Sequence, residues 1–517
     1  MTGVVGKARD DARRDFGIAL SGGGVRAAAF ALGALLYLVD SRLNRRVAVI
    51  SSVSGASLTN GFLLAQGDDF GRLDQDSFDS IAKALIHRLA RTPVMGGLTF
   101  ALYALLLLSG LCCFSIALWS WPIQSSPLVR AALPFAWGAA FLFRGRIIES
   151  GIARFLQPAI AGSARPAGGP TLGRTRPSTS TTHVFCATDL VTQSPLFFVD
   201  HGGAWAYSRY GWAAASCVPI ATAVRASAAL PGAFPPRALP TTWLDPAASE
   251  YSETRLPEWL HLSDGGVWDN LGTQWFGPKG PPTSAWKDVT GKFPDAPRNH
   301  PPGEDDIGCL LVVDGRGSGT GFTHRSAQCR AMLLKIPLLS DLASLQTASS
   351  IQYENTVEPR TRAYGELLRL QMERRSQDGV LAGVATLTTP SFQPIESEVY
   401  RAIVRRPGDQ DGTPNEAIIQ LHAAMTQVLG TSLRAAEPDW LAGKSSPQPL
   451  HKLYERCARV WTKLWWLPVP DAMALVIHGY IQAMGACAAL VAIRSAGPTN
   501  QLLEFPPLDR FKRLLPD

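Results

Sequence analysis

Phe16-Gly17-Ile18-Ala19-Leu20-Ser21-Gly22-Gly23-Gly24-Val25-Arg26 is the stretch on which the fold turns. A short apolar run enters three consecutive glycines, and an Ala/Leu-rich segment, Val25 to Val39, follows. That order predicts strand, tight turn, helix. Val47–Ser51 (VAVIS) begins a second unit of the same kind, with a small-residue turn around Ser54 and a helix from about Ser57 to Ala65. Further strands are expected at His183–Ala187, Leu196–Val199, Leu260–Leu262 and Ile307–Val313, with helical segments between them. Strands alternating with helices point to an α/β fold with a mostly parallel sheet.

The turns carry the chemistry. Glycines between a strand and a helix leave backbone N–H groups aimed at an anion. Gly22, Gly23 and Gly24 are not a P-loop, because no Gly-Lys-Ser/Thr follows. They suit an oxyanion hole, which needs only such donors about 3 Å from the developing charge. Ser54 lies in Ser51-Ser52-Val53-Ser54-Gly55-Ala56-Ser57, where a strand-to-helix turn presents a nucleophile above the sheet edge. Its outer flanks are Ser52 and Ala56 rather than the usual glycines. Ser51 and Ser52 end the strand, and Ser57 caps the helix. Asp264, in Leu262-Ser263-Asp264-Gly265-Gly266, follows a strand and has space cleared by two glycines, so it is the candidate base. Asp314-Gly315 is an alternative base, and His261 an alternative triad member. Arg26, just past the glycines, is a candidate for bidentate contact with a substrate phosphate.

A GGGxR turn, an elbow serine and a DGG carboxylate, in that order, resemble the patatin-like phospholipases. The stretch Ala226-Ser227-Ala228-Ala229-Leu230-Pro231-Gly232-Ala233-Phe234-Pro235-Pro236 is similar to a segment that family carries before its DGG strand. Ala187-Thr188-Asp189-Leu190 also fits a position after the third strand. The resemblance covers residues 16–66 and roughly 183–275. It implies a three-layer α/β/α sandwich and a Ser-Asp dyad without histidine. Ser54 would be the nucleophile, Asp264 the general base, and Gly22, Gly23 and Gly24 the oxyanion hole. The substrate would be an acyl ester of a lipid, hydrolysed through an acyl-enzyme, with no cofactor. A phospholipase A or lysophospholipase fits, with a transacylase and a triacylglycerol lipase as sub-variants. The altered elbow leaves a catalytically inactive scaffold or lipid-binding module as the alternative.

Composition frames this core. The chain has 517 residues, 46% hydrophobic and 18% charged, which excludes a disordered chain. Mean hydropathy is +0.05, high for a soluble enzyme. Eight cysteines form no CxxC pair, and no acidic cluster has calcium-binding spacing, so no metal is expected. The net charge of +7 is spread in pairs, which fits an anionic membrane surface better than nucleic acid.

Leu98 to Trp121 is a 24-residue uncharged run ending in Trp119 and Trp121. Leu128 to Phe143 is a second, marginal run containing Arg130. Basic residues flank the pair, so a membrane hairpin with both arms cytoplasmic is expected, with an interfacial element or a buried core segment as alternatives. Such a hairpin would hold the catalytic domain at a phospholipid bilayer, facing the cytoplasm. The expected organisation is a first core part at 1–95, the hairpin at 96–146, a second core part at 147–325, and a helix-leaning region at 326–517. Ala472 to Ile493, rich in Ala and Gly with His478 and Gln482, reads as a packed helix. Nothing in the sequence indicates the oligomeric state.

Overall fold

The computed structural model describes residues 14–91, 144–157, 170–173, 180–231, 234–248, 257–277, 283–303, 306–316, 381–387, 449–460, 466–495 and 508–515, with isolated positions elsewhere. The strands are β1 (Phe16–Leu20), β2 (Val47–Val53), β3 (Thr182–Asp189), β4 (Ser194–Asp200), β5 (Ala204–Ser208), β6 (Gly211–Ala214), β7 (Arg237–Pro240), β8 (Asp245–Ala248), β9 (Trp259–Asp264), β10 (Cys309–Asp314) and β11 (Leu381–Thr386). The helices are α1 (Gly24–Asp40), α2 (Ala56–Gln66), α3 (Gln75–Arg91), α4 (Arg144–Phe155), α5 (Ile220–Ser227), α6 (Thr283–Lys292), α7 (Pro449–Arg459), α8 (Val469–Ser495) and α9 (Leu508–Arg513).

One sheet joins the strands in the order β11-β10-β1-β2-β3-β4-β5-β6-β8, with β9 paired to β3 and β7. From β11 to β3 all pairings are parallel, and from β3 outward they are antiparallel. The expectation of a mostly parallel sheet therefore holds for one half only. β4, β5 and β6 are joined by turns too short for a crossover helix, which forces antiparallel pairing.

The parallel strands are buried on both faces, as such strands must be. Along β3, Phe185 and Ala187 enter one core with α1, α2 and α8, while Val184 and Cys186 enter a second core with Trp275, Phe276 and Trp286. Side chains alternate faces along a strand, so one strand feeds both layers.

α8 is the packed helix expected at 472–493. It crosses α1 where glycine faces backbone on both sides. A Cβ at Gly33 would overlap the Val476 carbonyl, and one at Gly479 the Phe30 carbonyl. Residues beyond 326 thus complete the same core, and β11 extends the sheet.

The apolar runs 98–121 and 128–143, and so nearly all of the hairpin expected at 96–146, lie outside the described residues apart from isolated positions. Among the described residues no helix is long and apolar enough to cross a membrane. The chain leaves that region through α4, an amphipathic helix that buries Ile148, Ile152 and Phe155. Glu149 on α4 accepts from Arg225 and Thr222 of α5 and from Arg237 of β7.

Candidate active site

β2 ends at Val53, which pairs with Cys186 of β3. One residue further on, the same edge of β3 is taken by β9, where Asp264 opposes Ala187. The chain leaves the sheet at Ser54 just where Asp264 arrives from the opposite direction. The nucleophile and base candidates, 210 positions apart in sequence, thus meet end to end over one strand.

Ser54 has φ 52°, one of three non-glycine residues with positive φ among the described residues. A serine in this left-handed conformation costs roughly 1–3 kcal/mol, which its surroundings must supply. Its N–H donates to both the carbonyl and the Oγ of Ser227, each at 3.1 Å. Ser227 Oγ hydrogen-bonds Ser57 Oγ at 2.8 Å, and Ser57 donates to Ser52 Oγ at 3.1 Å. Asn60 also donates to Ser52, at 2.9 Å, and His183 Nδ1 donates to Asn60 Oδ1 at 2.7 Å. A buried chain of hydroxyls and amides therefore stands behind the elbow. Gly55 follows Ser54 because a Cβ there would overlap the Gly24 carbonyl. Ser52 and Ala56 replace the outer glycines without harm: Ser52 joins the polar chain, and the close approach falls on Gly55.

Asp264 is fully buried. Its Oδ1 accepts from the Gly266 N–H at 2.8 Å, and its backbone is pinned by Ala229 and Thr188. Oδ2 has no partner of full hydrogen-bond geometry. Burial pushes the carboxyl up to about 7, against the opposing pull of the Ser54 hydroxyl and the Gly266 N–H. Gly265 is required because a Cβ would overlap the Cys186 carbonyl.

The three glycines divide their labour. The Gly22 N–H donates to the Asn270 carbonyl at 2.9 Å, so it is spent. A Cβ at Gly22 would overlap Asn270 Oδ1 and approach Ser54 Cβ at 3.2 Å, so this glycine keeps the mouth open. Gly23 (φ 143°) and Gly24 (φ 65°) turn the chain into α1, whose first N–H groups have no intrahelical acceptor. The donors that remain for an anion are those of Gly23 and Gly24, so a three-donor hole through Gly22 is corrected to two.

The expectation that Arg26 meets a substrate phosphate is also corrected. Its side chain is buried, with Nε donating to the Gly315 carbonyl at 3.3 Å and Nη1 to the Val460 carbonyl at 2.9 Å. Burial lowers its pKa to about 10, with Asp314 opposing. Two positions past the glycines, the helical turn has rotated it away from the mouth and into the C-terminal region.

Asp314 is held at 2.7 Å through each carboxylate oxygen by Arg316 and also receives the Ser21 hydroxyl. His261 is exposed and lies on the face of β9 opposite to Asp264. Neither is placed to act on Ser54. Ser227 and Asn270 are the residues that sequence reasoning missed. Both lie inside recognised patches, but their roles depend on contacts with residues 173 and 248 positions away. No group of three or more potential metal ligands occurs among the described residues.

Residues 18–274 match the family model described as patatin-like phospholipase. No curated protein matches. Among solved structures, VipD from Legionella pneumophila is 11% identical, with 96% of this chain and 91% of that chain covered at a TM-score of 0.26. Human GIVD cytosolic phospholipase A2 is 14% identical, with 62% of this chain and 45% of that chain covered at a TM-score of 0.27. The chain thus spans under half of the human enzyme. At these scores the family rests on the match over residues 18–274.

Proposed function

The chain belongs to the patatin-like phospholipase family and is a lipid acyl hydrolase; we propose that it is of the phospholipase A or lysophospholipase type, works at a membrane, and uses Ser54 as nucleophile and Asp264 as general base. The observation that carries this reading is the meeting of a strained, half-buried serine with a buried carboxylate whose affinity for protons is raised.

In the proposed cycle, Asp264 accepts the Ser54 proton as Oγ attacks the ester carbonyl. Charge develops on the carbonyl oxygen, where the Gly23 and Gly24 N–H groups and the positive end of α1 stabilise it. The protonated Asp264 returns its proton to the leaving alcohol. Water, activated by the same carboxylate, then releases the fatty acid from Ser54. A base near neutrality suits both directions of transfer. The dyad is complete without a third residue, because Asp264 is buried and already held by Gly266.

The active form needs Asp264 ionised, so kcat/KM should rise with pH through about 7 and level off above it. The uncharged run at 98–121 and its basic flanks support membrane association with the catalytic side facing the cytoplasm. Cell fractionation with protease protection tests that part.

Purified protein treated with a fluorophosphonate probe tests the chemistry. Labelling should occur in the wild type, vanish in Ser54→Ala and fall sharply in Asp264→Asn. Persistent labelling of Ser54→Ala would reject the nucleophile. Release of fatty acid from phosphatidylcholine and lysophosphatidylcholine, compared with triacylglycerol, tests the substrate class. No labelling and no release on any of these would favour the scaffold.

A further inference from the structure

Above the dyad, β9 continues outward from Asp264 to Trp259, alongside the end of β3 and then beyond it. Five residues at about 3.3 Å each raise a wall roughly 16 Å past the level of Ser54. The wall ends in exposed apolar side chains. Leu190 and Val191, on the turn leaving β3, are 42% and 54% exposed, and Trp259 is 44% exposed. They are half of the exposed large hydrophobic side chains among the described residues.

Their exposure is built in. The Leu190 N–H donates to the His261 carbonyl at 2.9 Å, which ties the turn to β9. The Asp189 carboxylate accepts the N–H groups of Val191 and Thr192 at 3.1 and 3.3 Å, and the Thr192 hydroxyl at 2.6 Å. These bonds hold the two apolar side chains outward rather than letting them fold back. The β5–β6 turn lies at the same end of the sheet, since β5 runs with β3, and it carries exposed Arg209.

We propose that this rim, formed by Leu190, Val191 and Trp259 with Arg209 beside it, is a lipid-docking surface that enters the headgroup region of an anionic bilayer and brings the mouth above Ser54 down onto it. The occupant is a lipid surface because the apolar tips extend from the end of the sheet at which Ser54 and Asp264 meet, a cation accompanies them, and the whole chain carries +7. A Trp at such a rim suits the boundary between headgroup and acyl chain. The proposal rests on the lipid acyl hydrolase reading of the same site. It is separate from the apolar run at 98–121 and needs no contact with it.

The test uses the full chain and vesicles of phosphatidylcholine with phosphatidylserine. Vesicles containing lipid brominated near the headgroup should quench wild-type tryptophan fluorescence more than that of Trp259→Phe. The ratio of fatty-acid release from vesicles to turnover of a monomeric short-chain ester should fall about tenfold in Leu190→Ser/Val191→Ser/Trp259→Ser. Unfolding temperatures check that these surface changes leave the fold intact. Equal quenching of wild type and Trp259→Phe, with an unchanged ratio, would overturn the proposal and leave the rim to a protein partner or to solvent. Absence of ester turnover would instead count against the hydrolase reading, and the quenching would still decide the rim.

Discussion

The turn that presents Ser54 and the turn that presents Asp264 are built in opposite ways. Ser54 is half-buried, its backbone is strained at φ 52°, and a relay of side chains from Ser227 to His183 braces it from behind. Asp264 ends its strand with a negative φ of −47°, is wholly buried, and is served mainly by backbone groups. One turn stores its free energy in backbone conformation, and the other stores it in desolvation. These two stores respond differently to mutation and to pH, and that difference makes them separable.

The largest expected effect removes the reacting atoms. Ser54→Ala and Asp264→Asn should each lower kcat at least about a thousandfold, read with a monomeric ester. The double variant should be no worse than the poorer single one, because the two act as a unit. An additive double variant would mean that they work separately.

Next come the glycines that follow each residue. Gly55→Ala and Gly265→Ala both push a methyl into a backbone carbonyl that cannot swing aside. Each should cost about 2–3 kcal/mol in chemical denaturation, and equal losses would show both turns to be equally rigid.

A smaller effect separates the two stores directly. Ser54→Gly relieves the positive φ and should stabilise by about 1 kcal/mol at every pH, although it is inactive. Asp264→Asn should also stabilise, but only where the wild-type carboxyl would have to ionise in the dry interior. The folded pKa is raised from 3.8 to about 7, so the wild type is favoured at low pH and loses that contribution as pH climbs through 7. The gain from Asp264→Asn should therefore be largest at pH 8 and fade towards pH 4. A pH-independent gain would mean that burial is not what shifts Asp264.

The smallest effect concerns the brace. Ser227→Ala leaves the Ser227 carbonyl as acceptor for the Ser54 N–H but removes the hydroxyl. It should lower kcat about tenfold with KM unchanged, and Ser227→Thr should recover part of the loss. Ser57→Ala keeps the backbone bond from the Ser57 N–H to the Ser54 carbonyl and removes only a hydroxyl that reaches Ser52 and Ser227, so it should affect unfolding more than kcat.

Both turns were readable in the sequence because each is local: a strand, a small-residue turn, and glycine where a side chain would collide. Even the loss of the outer glycines at the elbow did no harm to that reading, since the collision falls on Gly55. Arg26 was misread because adjacency along the chain says nothing of the rotation a helix imposes two residues later. The polar brace was invisible because Ser227, Ser57 and Asn60 look like ordinary helix residues until α2 and α5 are packed together. The antiparallel half of the sheet was hidden for another reason. β5 to β8 are only four or five residues long, and β5 and β6 are tryptophan-bearing, so a period of two has little room to appear.

The crossing of α1 and α8 at Gly33 and Gly479 has a consequence in time. The helix that begins at the glycine turn, α1, finds its packing partner about 440 residues later in synthesis. At roughly 5–20 residues per second, α1 waits on the order of 20–90 s with one flank bare. Until α8 arrives, the glycine turn is anchored at one end only.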